Sequence, residues 1–207
     1  MNPLNSIPLV WLAGVALAVV LAVLVNLATG AAPLSVEAMP LLRWVHVVAG
    51  ILWVGLLYYF NFVQMPAVAA ASADQSGPGP AAIGRYVLPR ALSWFRWASV
   101  VTWVAGAAYL IGAGELVNAF SLGLIGAGDP YYGLRMGVGV WLGTVLLLNV
   151  WLVIWPNQKK VLGLVAVTSE ADLAKAKRII AITARINAIL SLPMLLFMVA
   201  GRHGLAF

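Results

Sequence analysis

Two histidines are the side chains of this 207-residue chain best suited to carry redox or ligand chemistry, because cysteine is absent. His46 lies about two turns into a long apolar run, with Arg43 and Gly50 on the same helical face. A neutral imidazole is a common axial ligand for haem, and a polar side chain at membrane depth is a functional candidate by default. His203 follows the last apolar run. Two histidines on different helices at similar depth would ligate one b-type haem, with Arg43, Arg135 or Arg202 facing its propionates. The plainer alternatives are a buried His46 bonded to a neighbouring helix and a solvated His203. A metal centre is disfavoured, since two histidines without an acidic partner inside the spans make a poor ligand set.

Amides form the second group. Asn149 and Asn187 fall within apolar runs, and Asn61 and Gln64 close another. An unpaired amide in lipid costs several kcal/mol, so each must bond across helices or line a cavity. The cavity reading is a polar pocket for a small planar substrate or a quinone ring. Asn157, Gln158, Lys159 and Lys160 follow Pro156 at an expected membrane interface, where helix capping and anionic lipid compete with anion binding. No nucleotide-binding loop, nucleophile triad or carboxylate pair is present, so no catalytic residue is assigned and enzyme status stays open. Ion pumping fits poorly, because no acidic residue lies within a span.

Of the 207 residues, 63% are hydrophobic and 9% charged, against roughly 25% charged in a soluble domain. So few charges cannot cover a water-facing exterior, and lipid removes that need. The expected fold is all-α, a single bundle of about five transmembrane helices near residues 7–28, 40–65, 92–111, 134–155 and 181–200. Each approaches the ~20 apolar residues that cross a bilayer. The first run is read as a retained helix, since its leader MNPLNSIP has no basic residue and its apolar core is too long for a signal peptide. The 116–125 segment is too short to cross and reads as re-entrant or interfacial.

Basic residues set the orientation. Arg85, Arg90 and Arg96 fall after the second run; Lys159, Lys160, Lys175, Lys177, Arg178 and Arg185 fall after the fourth. By the positive-inside rule both groups are cytoplasmic, which places the N-terminus inside and the C-terminus outside a bacterial cytoplasmic membrane. The net charge of +6 is explained by lipid and topology rather than by nucleic acid. Residues 66–82 read as a flexible Gly/Pro-rich connection, and the chain is expected to turn after Pro156. Ser169 is a suitable N-cap for a helix running from about 170 to 200, kinked at Pro193, whose first turns project beyond the bilayer. Gly133-x3-Gly137 and Gly139-x3-Gly143 allow close backbone approach, either within the chain or across a homodimer.

The PNQKK run from Pro156 to Lys160, Asn149 seven residues before it, and the later SLPMLLFM resemble the membrane domain of the bacterial urate hydroxylase family, also called cytochrome-linked urate oxidase. LLRWVHVVAGILWVGLLYYF resembles that family's tryptophan–histidine helix, and LSWFRWASVVTWVAG the helix after its first long loop. The resemblance covers most of residues 40–203. It implies an all-helical membrane scaffold and raises the haem reading at His46. Members of the enzyme type carry a C-terminal cytochrome c domain with a CxxCH site. They also have histidines where this chain has Gly137 and Ile186, so the chain reads as a short, histidine-poor relative.

Two expectations follow. One is a non-catalytic accessory subunit packed against other subunits of a larger respiratory or photosynthetic complex. The other is a b-type haem protein passing electrons to a separate cytochrome c or quinone.

Overall fold

The computed structural model describes residues 6–30 and 37–205, and its regular structure is entirely helical among them. By contacts the chain divides into a unit of residues 1–38 and a unit of residues 39–207.

The first unit carries α1 (Ile7–Thr29), an unbroken apolar helix with Pro8 in its first turn. There the missing proline N–H costs nothing, since the first-turn amides have no helical partner. Gly30 ends it in the left-handed conformation, φ 60°, with its N–H on the Asn26 and Leu27 carbonyls. None of its side chains is buried, as suits a helix whose favourable surroundings are lipid.

The second unit is a bundle of α2 (Ala38–Ala73), α3 (Leu88–Gly112), a one-turn α4 (Leu116–Phe120), α5 (Pro130–Val161) and α6 (Glu170–His203). Four helices, α1, α2, α5 and α6, are both long and apolar enough to cross a membrane. The expected third span is the 25-residue α3, about 37 Å long at 1.5 Å per residue. Arg90, Arg96 and its hydroxyl residues leave its most apolar stretch less apolar than those of the other four.

Two connections differ from expectation for one shared reason. Residues 66–73 are helical rather than loop, and the helix runs through Pro156 to Val161 instead of turning there. In each case a π-helical turn precedes the proline: Tyr59–Gln64 before Pro66, and Asn149–Ile154 before Pro156. The Met65 N–H bonds the Phe60 carbonyl and the Trp155 N–H bonds that of Val150, both five residues back. One extra residue per turn makes room for a ring that would otherwise strike the carbonyl four residues earlier. Helix-favouring alanines then continue α2. The connection proper begins at Asp74, where the Ser76 hydroxyl at 2.7 Å and its N–H at 2.9 Å hold the carboxyl below its ordinary pKa.

The expected cap at Ser169 is present, its hydroxyl accepting from the Asp172 N–H at 3.2 Å. Lys160 pairs with Asp172 at 2.8 Å, tying the end of α5 to the first turn of α6. Pro193 lies inside the continuous α6.

The core is shared by four helices: Trp53, Leu57 and Phe60 of α2, Leu92 and Phe95 of α3, Leu146 and Val150 of α5, and Met194 of α6. Phe60 and Phe95 meet edge to face at 5.4 Å, a geometry that adds about 1 kcal/mol to burial. The glycine rows on α5 are filled from within the chain. A Cβ at Gly137 would strike the Ala119 carbonyl, and one at Gly133 the Asn118 side chain, so this row seats α4. Gly139 and Gly143 face Met198 and Met194 of α6. The 116–125 segment is therefore a cap on α5, fastened by the buried Asn118, whose amide donates to Glu115 at 2.7 Å and to the Asp129 carbonyl at 3.1 Å.

Candidate functional site

His46 sits on the third turn of α2 and reaches α3, where its Nδ1 lies 2.7 Å from the Thr102 carbonyl oxygen. A carbonyl can only accept, so Nδ1 carries the hydrogen, and in the neutral ring the lone pair resides on Nε2. Nε2 makes no hydrogen bond among the described residues. A helical carbonyl is normally screened by the residue four positions on, which here is Gly106. A Cβ at Gly106 would stand 2.7 Å from His46 Nδ1 and 2.9 Å from Cε1. The missing side chain is what lets the imidazole lie against α3. Thr102 keeps its own hydroxyl occupied on the Ala98 carbonyl at 2.7 Å, so only its backbone oxygen faces the ring. Sequence reasoning found His46 but neither of these partners. The one available signal was a glycine and a hydroxyl residue four apart on a neighbouring run.

One turn toward the helix ends, three residues converge. Arg43 Nη2 donates to the Tyr109 hydroxyl, and its guanidinium carbon lies 4.9 Å from the centre of the tyrosine ring. Arg202, in the last turn of α6, donates to the same hydroxyl from Nη1 at 3.0 Å. Arg43 and Arg202 were expected on one side of the bundle, and the structure brings them to one acceptor; Tyr109 went unforeseen. Arg135 is half-buried and bonds the Tyr131 carbonyl at 3.1 Å. His203 is the final residue of α6, exposed and without a hydrogen bond among the described residues.

The interior amides are largely committed to one another. Asn149 Nδ2 donates to Asn187 Oδ1 at 2.8 Å, and Asn187 Nδ2 to the Leu146 carbonyl at 3.3 Å, with Asn187 only 1% exposed. Tyr58 pairs with Ser191 at 2.9 Å, Trp103 donates to Thr144 at 3.0 Å, and Trp151 to Ser99 at 3.3 Å. Asn61 Nδ2 bridges the Leu57 and Ala184 carbonyls at 2.8 and 3.2 Å. The buried oxygens Asn61 Oδ1, Gln64 Oε1 and Gln158 Oε1 have no donor among the described residues.

At the opposite end from His203, Asn157 Nδ2 bonds the Val153 carbonyl at 2.8 Å, Lys159 is half-buried, and Lys160 is spent on Asp172. Nearby, the Arg96 guanidinium lies 3.3 Å from the centre of the Trp155 ring and 5.6 Å from that of Trp151, a cation–π arrangement suited to a partly desolvated arginine. A shallow apolar groove of about 280 Å³ is lined by Val100, Leu147, Leu148 and Trp151. His46 is not part of it. No group of three or more His, Asp or Glu positioned for a metal occurs among the described residues.

Residues 34–119 match a family model described as urate oxidase N-terminal. The matched stretch contains His46, Thr102, Gly106, Arg43 and Tyr109, while Arg202 and the Asn149–Asn187 pair lie beyond it. No curated protein and no solved structure matches the chain.

Proposed function

We propose that this chain, a urate-oxidase-N-terminal-like helical membrane scaffold, serves as a non-catalytic accessory subunit of a larger respiratory or photosynthetic membrane complex. One observation carries this reading: three pairs of interior polar side chains between α5 and its neighbours are bonded to each other. Asn149–Asn187, Trp103–Thr144 and Trp151–Ser99 join α5 to α6 and α3. Side chains held in this way stiffen a helix bundle and are not free to hold a substrate. The exterior is correspondingly apolar, with exposed residues such as Ile51, Val104, Leu152 and Ile189 distributed over four helices. That surface suits lipid and neighbouring subunits. The test is affinity purification of a tagged chain from mildly solubilised native membranes. Recovery at fixed stoichiometry with larger subunits supports the reading, and recovery of the chain alone sinks it.

A second reading is favoured by the His46–Thr102 bond. A histidine whose Nδ1–H is anchored on a carbonyl presents Nε2 as a ligand, the arrangement found around most ligating histidines. The ligand atom fits a b-type haem, and Arg43 and Arg202 fit its carboxylates; a haem there would supply one-electron transfer to a cytochrome or quinone. His46 would hold the iron, and Thr102 would keep the imidazole in the required tautomer. A Soret band in the purified protein that disappears in His46→Ala supports this second reading, and a colourless protein from haem-replete cells rejects it.

A further inference from the structure

We infer that Arg43, Tyr109 and Arg202 form a binding site for the phosphate oxyanion of an anionic phospholipid at one end of the helix bundle. This inference is independent of the accessory-subunit reading, and it gives to a lipid phosphate the two arginines that the haem reading would give to haem carboxylates.

The hydroxyl of Tyr109 accepts from both guanidinium groups. A phenol oxygen has two lone pairs, so both are engaged and its own proton must point to a third group that accepts. A neutral phenol also leaves two positive charges side by side. Among the described residues the sole ion pair is Lys160–Asp172, so neither arginine is neutralised by a carboxylate. Glu115, at the same end, accepts from the Asn118 amide at 2.7 Å and makes no ion pair with either arginine. Two arginine forks meeting at one phenol hydroxyl gather several donors in one place, which suits the oxygens of a phosphate, since these accept several charge-assisted hydrogen bonds at once.

Position selects the lipid as the source. Arg43 lies in the second turn of α2, Tyr109 in the last turn of α3 and Arg202 in the last turn of α6. All three stand where spanning helices leave the hydrocarbon layer, at the level of headgroups. Both arginines are exposed rather than enclosed. Exposed apolar side chains flank the cluster on all three helices: Leu41 and Trp44 on α2, Ile111 on α3 and Val199 on α6. A headgroup on the arginines would therefore have its acyl chains against protein surface that is already apolar, with Trp44 as an interfacial anchor.

The experiment reconstitutes the full chain in nanodiscs of phosphatidylcholine with or without phosphatidylglycerol, and follows thermal unfolding together with lipid retained after delipidation by native mass spectrometry. Wild type should retain about one phosphatidylglycerol and unfold at higher temperature when it is present. Tyr109→Phe removes only the hydroxyl, and Arg43→Gln and Arg202→Gln each remove one fork. Each should weaken retention roughly tenfold, the loss of about one charge-assisted hydrogen bond. Arg85→Gln, a basic residue of the opposite end, should retain lipid as wild type does. Inorganic phosphate in phosphatidylcholine discs forms the other arm. Stabilisation by phosphate equal to that by phosphatidylglycerol would overturn the lipid assignment. Equal retention by wild type and all three variants would overturn the site.

Discussion

The imidazole of His46 and the backbone carbonyl of Thr102 meet at 2.7 Å across α2 and α3, and the contact exists because residue 106 has no side chain. A helix interior normally gains from replacing glycine, since alanine loses less conformational freedom on folding. Here the added methyl would stand 2.7 Å from the ring nitrogen. The two effects oppose each other, and overlap with a ring wedged between helices is the larger.

Gly106→Ala is therefore expected to destabilise the bundle by about 1–3 kcal/mol, the usual cost of overpacking. The intrinsic helix preference alone would stabilise it by about 1 kcal/mol. Detergent thermal unfolding of wild type and variant reads the sign directly. A higher melting temperature in the variant would show that the ring does not rest on Gly106.

The Asn149–Asn187 pair should behave as a coupled unit. Asn187→Ala leaves the Asn149 amide and the Leu146 carbonyl without their partner, at a cost of about 1–3 kcal/mol. Asn149→Leu with Asn187→Leu removes both ends of the bond and should recover part of that loss. A double-mutant cycle on unfolding should return a coupling energy of roughly 0.5–2 kcal/mol. Strict additivity would mean the two amides do not depend on each other.

The glycine rows of α5 are predicted to act within one chain. Gly137→Leu would drive a side chain into the Ala119 carbonyl and displace α4, costing about 2 kcal/mol or more. Because the row is filled intramolecularly, the oligomeric state of the wild type should not depend on it. A change from dimer to monomer in Gly137→Ala, measured by light scattering of the detergent complex, would place the row at a subunit seam instead.

Lys160 and Asp172 are partly exposed, at 32% and 24% of their side chains. Screened pairs of this kind contribute little, so Lys160→Met should leave the melting temperature close to that of wild type. Its visible effect should be local, as faster amide exchange in the connection from Leu162 to Ser169. Unchanged exchange there would show that the pair does not order the connection.

Much of this molecule was legible in the chain itself. Composition and run length determined a helical membrane protein, because lipid imposes a strong and simple requirement: enough apolar residues per helix and every backbone group bonded internally. The Ser169 cap, the crossing order that puts Arg43 and Arg202 at one end, and the part of the family likeness carried by the second and third runs were readable for the same local reason, whereas the PNQKK run that most suggested the family lies beyond the matched residues 34–119. Tertiary structure alone decided the rest. Residues 66–82 read as a Gly/Pro-rich connection and Pro156 as the start of a turn, yet both helices continue through their prolines, since a π-turn absorbs the ring and neighbouring helices hold the widened segment in place. Asn149 was open between pocket and pairing until α6 set Asn187 opposite it. Tyr109 carried no signal of its own in a run of apolar residues, and the four-residue spacing of Thr102 and Gly106 did not say which side chain they would meet. Their roles arise only where α2, α3 and α6 cross, because which side chains share a hydrogen bond depends on helix rotation and depth, and neither is encoded by any one segment.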